Sequence, residues 1–433
     1  MKSNRHWYKR MSFIILAALL VLSACSGKKE EKASGDAKDT NGALSIMWWG
    51  PQERHDATLK ALDIYSKQNP DVKFKPEYLA WDGFWSKLPT LAASKSMPDI
   101  LQMDAAYLDE YVSRGTLEDL SDIDLNGIID PKILDNLKKD GKLYGIPLSH
   151  NGQGLAFNKS ELEAAGIQLP QKDWTWDDFF KFAEDAHKKL PKGKFPVTDN
   201  SADWTWYQYY QTSMGKGPIL EGNKFNLDKD MWMEFNKIYE KYRKEGVVPP
   251  PDVQTAFLEN DPKADPMGSG KVMTRGASVG SVSVLETLLP GKVDVVNVPT
   301  GPAGGGWAQP TIFLSVSSNS KHKAEAKQFI KWFISDKEAG KALGLTRGIP
   351  LSDEIYKELE PTLQPKDILS KKLEEAAIDK ALPFYPAPAG WSEWVQAYDK
   401  EMQAVMYGQQ SLKDAFTKLD DLGKETAKKL EGK

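Results

Sequence analysis

LSIMW (44–48), DATLKALDIYSKQN (56–69), VKFKPEYL (72–79), WDGFWSKLPTLAA (81–93) and DILQM (99–103) follow one another with only short breaks, and their alternation decides the fold. The first segment is a short apolar run bounded by a glycine and a proline, as a strand would be. In the second, Leu59, Leu62, Ile64 and Tyr65 recur at near-helical spacing, and the pattern stops at Pro70. Residues 72–79 alternate in the period of a strand. Residues 81–93 return to helical spacing, and 99–103 read as a buried strand. Strand, helix and strand at this spacing predict βαβ units and a largely parallel sheet, hence an α/β fold.

The same alternation continues along the chain. Residues 143–148 and 154–157 read as strands on either side of a break at 149–152. Helices are predicted over 176–190, 229–246 and 324–343, and strands over 271–274, 293–298 and 312–316. The tail from Trp391 onward is again helical. Proline and glycine gather at 248–251, 299–306 and 383–390, and the last two stretches look like hinge or cleft loops. No internal repeat is visible.

The N-terminus has a different character. Lys2, Arg5, Lys9 and Arg10 precede an apolar run, Met11 to Val21, broken only by Ser12. That run is shorter than the roughly 20 residues a permanent span needs, but it suits a secretory signal. Leu22-Ser23-Ala24-Cys25 resembles the lipobox of bacterial lipoproteins, in which the signal is cut before the cysteine and the cysteine carries lipid. Cys25 is the only cysteine, so it forms no internal disulfide. The reading is a signal over 1–24, then a lipidated Cys25 with a flexible tether over 25–43, and localisation on the outer face of the cell membrane. SGKKEEKASGDAKDTNGA (26–43) holds no large apolar residue and is expected to stay disordered. The 409 residues from Cys25 exceed one core and point to two lobes. The chain carries a formal −4, and the signal contributes four basic groups and no acid, so the remainder is near −8. No strong basic stripe appears, and nucleic acid is not expected as a partner.

Taken in order, several segments resemble one family. WWGPQERHDATLKAL (48–62), the run from Asn69 to Leu120, DGKLYGIPLSHNGQGLAFNKSELEAAGI (140–167), WTWDDF (174–179) and residues 316–350 are similar to extracellular solute-binding lipoproteins that serve sugar importers of the ABC type, the maltose-binding-like proteins. The Trp-Trp-Gly and Arg-His opening most resembles binders of plant cell-wall oligosaccharides. The resemblance implies a two-lobed periplasmic-binding-protein fold with a hinge and an inter-lobe cleft. Lobe I would comprise 44–149 with 300–355, and lobe II 150–299 with 356–433. It further implies an oligosaccharide ligand, the membrane subunits of an ABC permease as partners, a monomer, and no cofactor.

Sugar rings have apolar C–H faces and a rim of hydroxyls, so a site needs flat aromatic platforms and fixed polar groups. In open α/β sheets ligands lie beyond the carboxyl ends of the strands. Fourteen tryptophans are present, more than core packing calls for. Trp48, Trp49, Arg54 and His55 follow the first strand, and one of the two tryptophans is expected to face the cleft. Trp81 is a platform candidate, whereas Trp85 reads as core. Asp104 closes its strand as a hydroxyl acceptor or a helix cap, with Tyr107 as a weaker companion. In DWTWYQYY (203–210) five aromatics exceed what one helix face buries, and Trp206 is the first choice. Trp174, Trp176, Trp232 and Trp332 read as structural. Trp307 follows a glycine-rich loop, and Arg347 ends a helix. Trp391 and Trp394 are candidates because the family places an aromatic platform in that region.

An enzyme reading starts from Gly276-Ala277-Ser278-Val279-Gly280, which fits the nucleophile elbow G-x-S-x-G. Only His322 follows it, in a polar stretch unsuited to an oriented base. Arg275 and Ser278 are better read as ligand contacts at a strand end. A cell-surface hydrolase acting on glycans is the alternative function, yet nothing marks a catalytic carboxylate pair. The Gly270-Lys271 pair is no phosphate loop, because Asp265 and Val272 occupy the positions that need Gly and Ser or Thr. No metal motif is found. The expectation is a binding protein without catalysis.

Overall fold

The computed structural model describes residues 43–432, except positions 386 and 389. The signal segment, Cys25 and the tether up to residue 42 lie outside the described residues. Ala43 already belongs to the first strand.

The strands are β1 (Ala43–Trp49), β2 (Lys73–Leu79), β3 (Ile100–Asp104), β4 (Ile146–Asn158), β5 (Leu220–Glu221), β6 (Lys224–Phe225), β7 (Thr274–Ser278), β8 (Val293–Asn297), β9 (Ala308–Val316) and β10 (Ile349–Pro350). One sheet runs β10-β4-β9-β3-β1-β2. Only β1 with β2 and β1 with β3 are parallel; β3 with β9, β4 with β9 and β4 with β10 are antiparallel. The expected largely parallel sheet is therefore confined to the opening βαβαβ stretch. Beyond it the chain leaves for a second set of elements and returns through β9 in the opposite sense.

The two strands predicted around a break at 149–152 are a single thirteen-residue strand, β4. Residues Ile146 to Gly152 pair with β9. Residues Gln153 to Asn158 pair on one side with β7 and on the other with β8, both antiparallel. β4 thus runs out of the first sheet and becomes the centre of the second. The side chains at 149–152 look like a loop because no apolar core claims them, while their backbone groups remain in the ladder.

Each sheet carries its own core on both faces, which makes the molecule two-lobed. Along β1, Leu44, Ile46 and Trp48 enter one cluster with Leu62, Phe329 and Phe333. Met47 and Trp49 enter another with Phe84, Leu88 and Phe313. This is strand alternation on a central strand covered by helices on both sides. Along the outer half of β4, Leu155 and Phe157 join the largest cluster, with Trp176, Trp206, Trp232, Trp391 and Trp394. Ala156 turns the other way, to Val282, Leu285, Leu369 and Leu373. Burying each such aliphatic or Phe side chain contributes about 1.5–3 kcal/mol.

Helix boundaries follow local chemistry. Residues 81–93 form a helix as predicted. The predicted 324–343 helix is two, Lys323–Ser335 and Lys337–Leu343, because Asp336 leaves helical geometry and its carboxylate accepts from the Ala339 N–H. The 299–306 loop is not a slack linker. Gly304 has φ of 133°, and a Cβ there would sit 2.5 Å from the Lys380 carbonyl oxygen.

The outer half of β4 is packed as closely. A Cβ on Gly154 would lie 2.3 Å from Leu373 Cδ1 and 2.6 Å from the Val296 carbonyl oxygen. Gly154→Ala is expected to cost about 1–3 kcal/mol of stability through overpacking. Urea unfolding checks this, and an unchanged midpoint would show that β4 and the helix Pro365–Ile378 yield easily.

Candidate functional site

The carboxyl ends of β1, β2 and β3 hold one group of candidate side chains. Trp48 is fully buried, and its Nε1–H donates to His55 Nδ1 at 3.1 Å. That bond requires His55 to be the Nε2–H tautomer. It agrees with the lowered pKa of His55, caused first by burial and then by the charge of Arg54. Trp49 packs between Phe84 at 4.9 Å and Trp81 at 5.2 Å. Neither tryptophan of the pair faces the open cleft, since β1 has helices on both faces and alternation sends both rings into cores. The ring that stays open is Trp81, 41% exposed. It is held edge-on by Trp49 and Trp85. Tyr78 is 40% exposed, and its ring lies 4.5 Å from His55. Tyr78 was missed in the sequence, although it lies at the carboxyl end of β2, where the strand-end rule would have found it.

Arg54 and Arg347 meet at the same end of the sheet. Arg54 Nε–H donates to the Thr346 carbonyl at 2.9 Å and Nη1–H to the Trp49 carbonyl at 3.1 Å. Arg347 is buried, with Nε–H donating to Gln102 Oε1 and Nη2–H to Thr58 Oγ1, both at 2.9 Å. Burial lowers the Arg54 pKa to about 10, and it lowers that of Arg347 with Arg54 adding to the fall. Asp104 ends β3 and caps the helix Ala105–Ser113 by accepting from the Ala106 N–H at 2.9 Å. Burial raises its pKa.

The second group lies on the other lobe. Asp203 caps the helix Trp204–Ser213 through the Thr205 N–H and hydroxyl. It is exposed, yet the surrounding protein raises its carboxyl pKa. Glu259 behaves alike at 60% exposure: surrounding protein raises its pKa, Arg275 opposes, and Asp265 and Asp203 add to the rise. Trp307 Nε1–H donates to the Tyr209 hydroxyl at 3.1 Å, and its ring packs 4.4 Å from Phe384. Asp203, Tyr209 and Glu259 carried no signal beyond their place beside the aromatic run or in a loop.

Four other candidates have their contacts inside the second lobe. Trp206 is buried, with Nε1–H donating to the Tyr239 hydroxyl. Trp391 and Trp394 are fully buried, bonded to the carbonyls of Gly222 and Leu419. These three rings are core: Trp206 packs on Trp176, Phe179 and Tyr209, Trp391 on Phe225, and Trp394 faces the helix Leu412–Glu431. Arg275 is 1% exposed, with Nη2–H donating to Asp265 Oδ2 at 2.8 Å and to Asn260 Oδ1 at 3.0 Å. It ties the 259–265 loop to β7 and does not reach into a cleft. Ser278 shares its hydroxyl with Ser281 at 2.8 Å, and no histidine or acid is hydrogen-bonded to it among the described residues. No cluster of three or more His, Cys, Asp or Glu side chains suited to a metal occurs among the described residues.

β4 links the two groups through its backbone. The Ser149 hydroxyl donates to the Arg347 carbonyl, and the Gln153 N–H donates to the Trp307 carbonyl. Four residues of strand separate these anchors, about 13 Å at roughly 3.3 Å per residue. β4 is thus tied at Ser149 to the turn that holds Arg347 and at Gln153 to Trp307, which is itself buried.

Comparison with known proteins agrees with this architecture. The family model described as bacterial extracellular solute-binding protein matches residues 51–340. The multiple sugar-binding protein of Streptococcus mutans is 23% identical, over 76% of this chain and 79% of its own. The diacetylchitobiose-binding protein of Streptomyces coelicolor is 24% identical, over 81% and 84%. Among solved structures, a family 1 extracellular solute-binding protein from Alicyclobacillus acidocaldarius superposes with TM-score 0.77 at 28% identity, covering 90% of this chain and 98% of its own. A periplasmic oligogalacturonide-binding protein from Yersinia enterocolitica gives 0.72 at 25%, covering 90% and 99%.

The burial pattern separates scaffold from surface experimentally. Trp391→Ala is expected to lose about 3–5 kcal/mol of stability, and Trp81→Ala less than about 1.5 kcal/mol. Urea unfolding of the two variants side by side checks this, and equal losses would place Trp81 in the core.

Proposed function

Because the chain belongs to the bacterial extracellular solute-binding protein family, we propose that it captures an oligosaccharide between its two lobes and delivers it to an ABC permease. The observation that carries the reading is Trp81, an exposed indole locked edge-on by two other tryptophans at the end of the first sheet. A ring held this way loses little side-chain freedom on binding and offers its face to the C–H face of a sugar. Tyr78 extends the platform. Asp104 on one wall and Asp203 on the other supply carboxylates that accept from hydroxyls. Relatives named for multiple sugars, diacetylchitobiose and oligogalacturonide support the ligand class.

The proposed lobes meet along Ser149 to Gln153. With both walls anchored to this short strand, closure is a rotation of two rigid bodies about it. The proposed cellular setting is the extracellular face of the cell membrane, with lipid on Cys25, a tether leading to Ala43 and delivery by a monomer. The proposal is capture without catalysis: Ser278 has a serine for a partner, and the GASVG segment (276–280) is half strand, half turn.

Calorimetry against neutral and acidic plant-type oligosaccharides, with product analysis of the same mixtures, tests the reading. Binding without turnover is expected, and Trp81→Ala should weaken it by about 1–3 kcal/mol, as loss of one aromatic anchor does. No heat with any glycan on folded protein would sink capture, steady product release would restore the hydrolase, and wild-type affinity in Trp81→Ala would remove the platform.

A further inference from the structure

Five arginines lie in the described part of the chain, and three have carboxylate partners. Arg114 pairs with Glu110, Arg243 with Asp199, and Arg275 with Asp265. The two most buried of these three, Arg243 and Arg275, have partners with fully buried side chains. Arg54 and Arg347 have none among the described residues. Their bonds go to two backbone carbonyls, one amide oxygen and one hydroxyl. Arg347 is only 8% exposed, and its Nη1 is sealed from solvent without a partner.

Burying a cation without an opposite charge is costly, and here two stand close enough for each to disfavour the charge of the other. Their surroundings add to the cost. Arg54 lies in the first turn of the helix Gln52–Gln68, whose N-terminus has Pro51 at the cap and no side-chain cap bond. The helix dipole makes that end positive and favours an anion. Glu53 and Asp56 share the helix, are exposed, and pair with neither arginine; Asp56 accepts from Gln52. Arg54 Nη2 has no hydrogen-bond partner among the described residues and is not sealed from solvent as Arg347 Nη1 is. One charged donor is therefore left over on Arg54, whose Nη1–H is tied to the Trp49 carbonyl at the carboxyl end of β1.

We infer that Arg54, backed by Arg347 and the N-terminus of the helix Gln52–Gln68, receives a carboxylate on the ligand, so that the saccharide captured is built from uronic acid. This rests on the capture reading above and names its substrate class. A guanidinium edge and a carboxylate match in plane and spacing. A neutral sugar would leave the pocket without its anion. Arg347 acts as a positioning residue: it holds the 344–348 turn whose Thr346 carbonyl fixes Arg54.

The test compares α-1,4-linked trigalacturonate with its methyl ester, the same skeleton without charge, by calorimetry on the whole protein. The acid is expected to bind more tightly, with a preference that shrinks as sodium chloride rises. In Arg54→Gln the acid-over-ester ratio should fall roughly ten- to a hundred-fold, with partial recovery in Arg54→Lys. Melting curves confirm that the variants fold, and the salt series on the wild type needs no variant. An ester bound as well as the acid overturns the inference, as does an unchanged ratio in folded Arg54→Gln. If neutral glycans bind and trigalacturonate does not, the uronate assignment alone fails. If no glycan binds at all, the capture reading fails with it.

Discussion

Everything in this molecule hangs on one strand serving two sheets. β4 gives its first seven residues to β9 and its last six to β7 and β8. A strand cannot slip by one residue without sending its side chains to the opposite face. Both cores therefore fix the register of the same strand, Ile146 and Leu148 on one side and Leu155 and Phe157 on the other. Between these anchors lie Ser149, His150, Asn151 and Gly152, polar or small, with their backbone still paired. Here bending can be absorbed without opening a core.

The tryptophans make the walls stiff. Most buried indoles have their one donor committed to a fixed acceptor: Trp174 to the Asn297 carbonyl, Trp176 to Ser213, Trp232 to Tyr398, and Trp391 and Trp394 to backbone carbonyls. A large apolar ring with one satisfied polar point has a single orientation in its core. Trp85 and Trp332 differ, with buried Nε1–H groups that have no partner among the described residues. The abundance of tryptophan that suggested a sugar site is thus mainly a device of the scaffold, and the exposed ring at the strand ends is supported by buried ones behind it.

The sequence was informative where the signal is local and misled where it depends on distant packing. The helix over 81–93 was read to the residue, since its spacing and its flanking strands lie within thirty positions. The strand-end rule brought Trp49, Arg54, Trp81 and Asp104 to one end of the sheet. It could not say which rings stay open, because that depends on the helix Lys323–Ser335, which returns from far along the chain to cover β1. Trp391 and Trp394 illustrate the same limit: they are buried against Phe225 and the helix Leu412–Glu431, partners that lie far from one another in the chain. The break at 149–152 was legible as a change in side-chain chemistry but not as continuous backbone, since polarity at a lobe junction and polarity in a loop look alike. Asp203 and Tyr78 were passed over because the tryptophans beside them drew the reading.

Closure without ligand would gain little. On each wall the polar groups already have partners in that wall: His55 with Trp48, Asp104 with the Ala106 N–H, Asp203 with Thr205, Trp307 with Tyr209. Bringing the walls together over an empty recess would strip water from Asp104, Asp203 and Glu259, whose pKa values are already raised by the protein around them. That penalty grows as the recess tightens. In the proposed capture a saccharide would change the balance, replacing the lost water with hydroxyl donors and covering Trp81 with a C–H face. The closed form is then favoured only to the extent that ligand binds it better than the open form. A lobe geometry that reports occupancy in this way lets a downstream partner distinguish loaded from empty protein by shape.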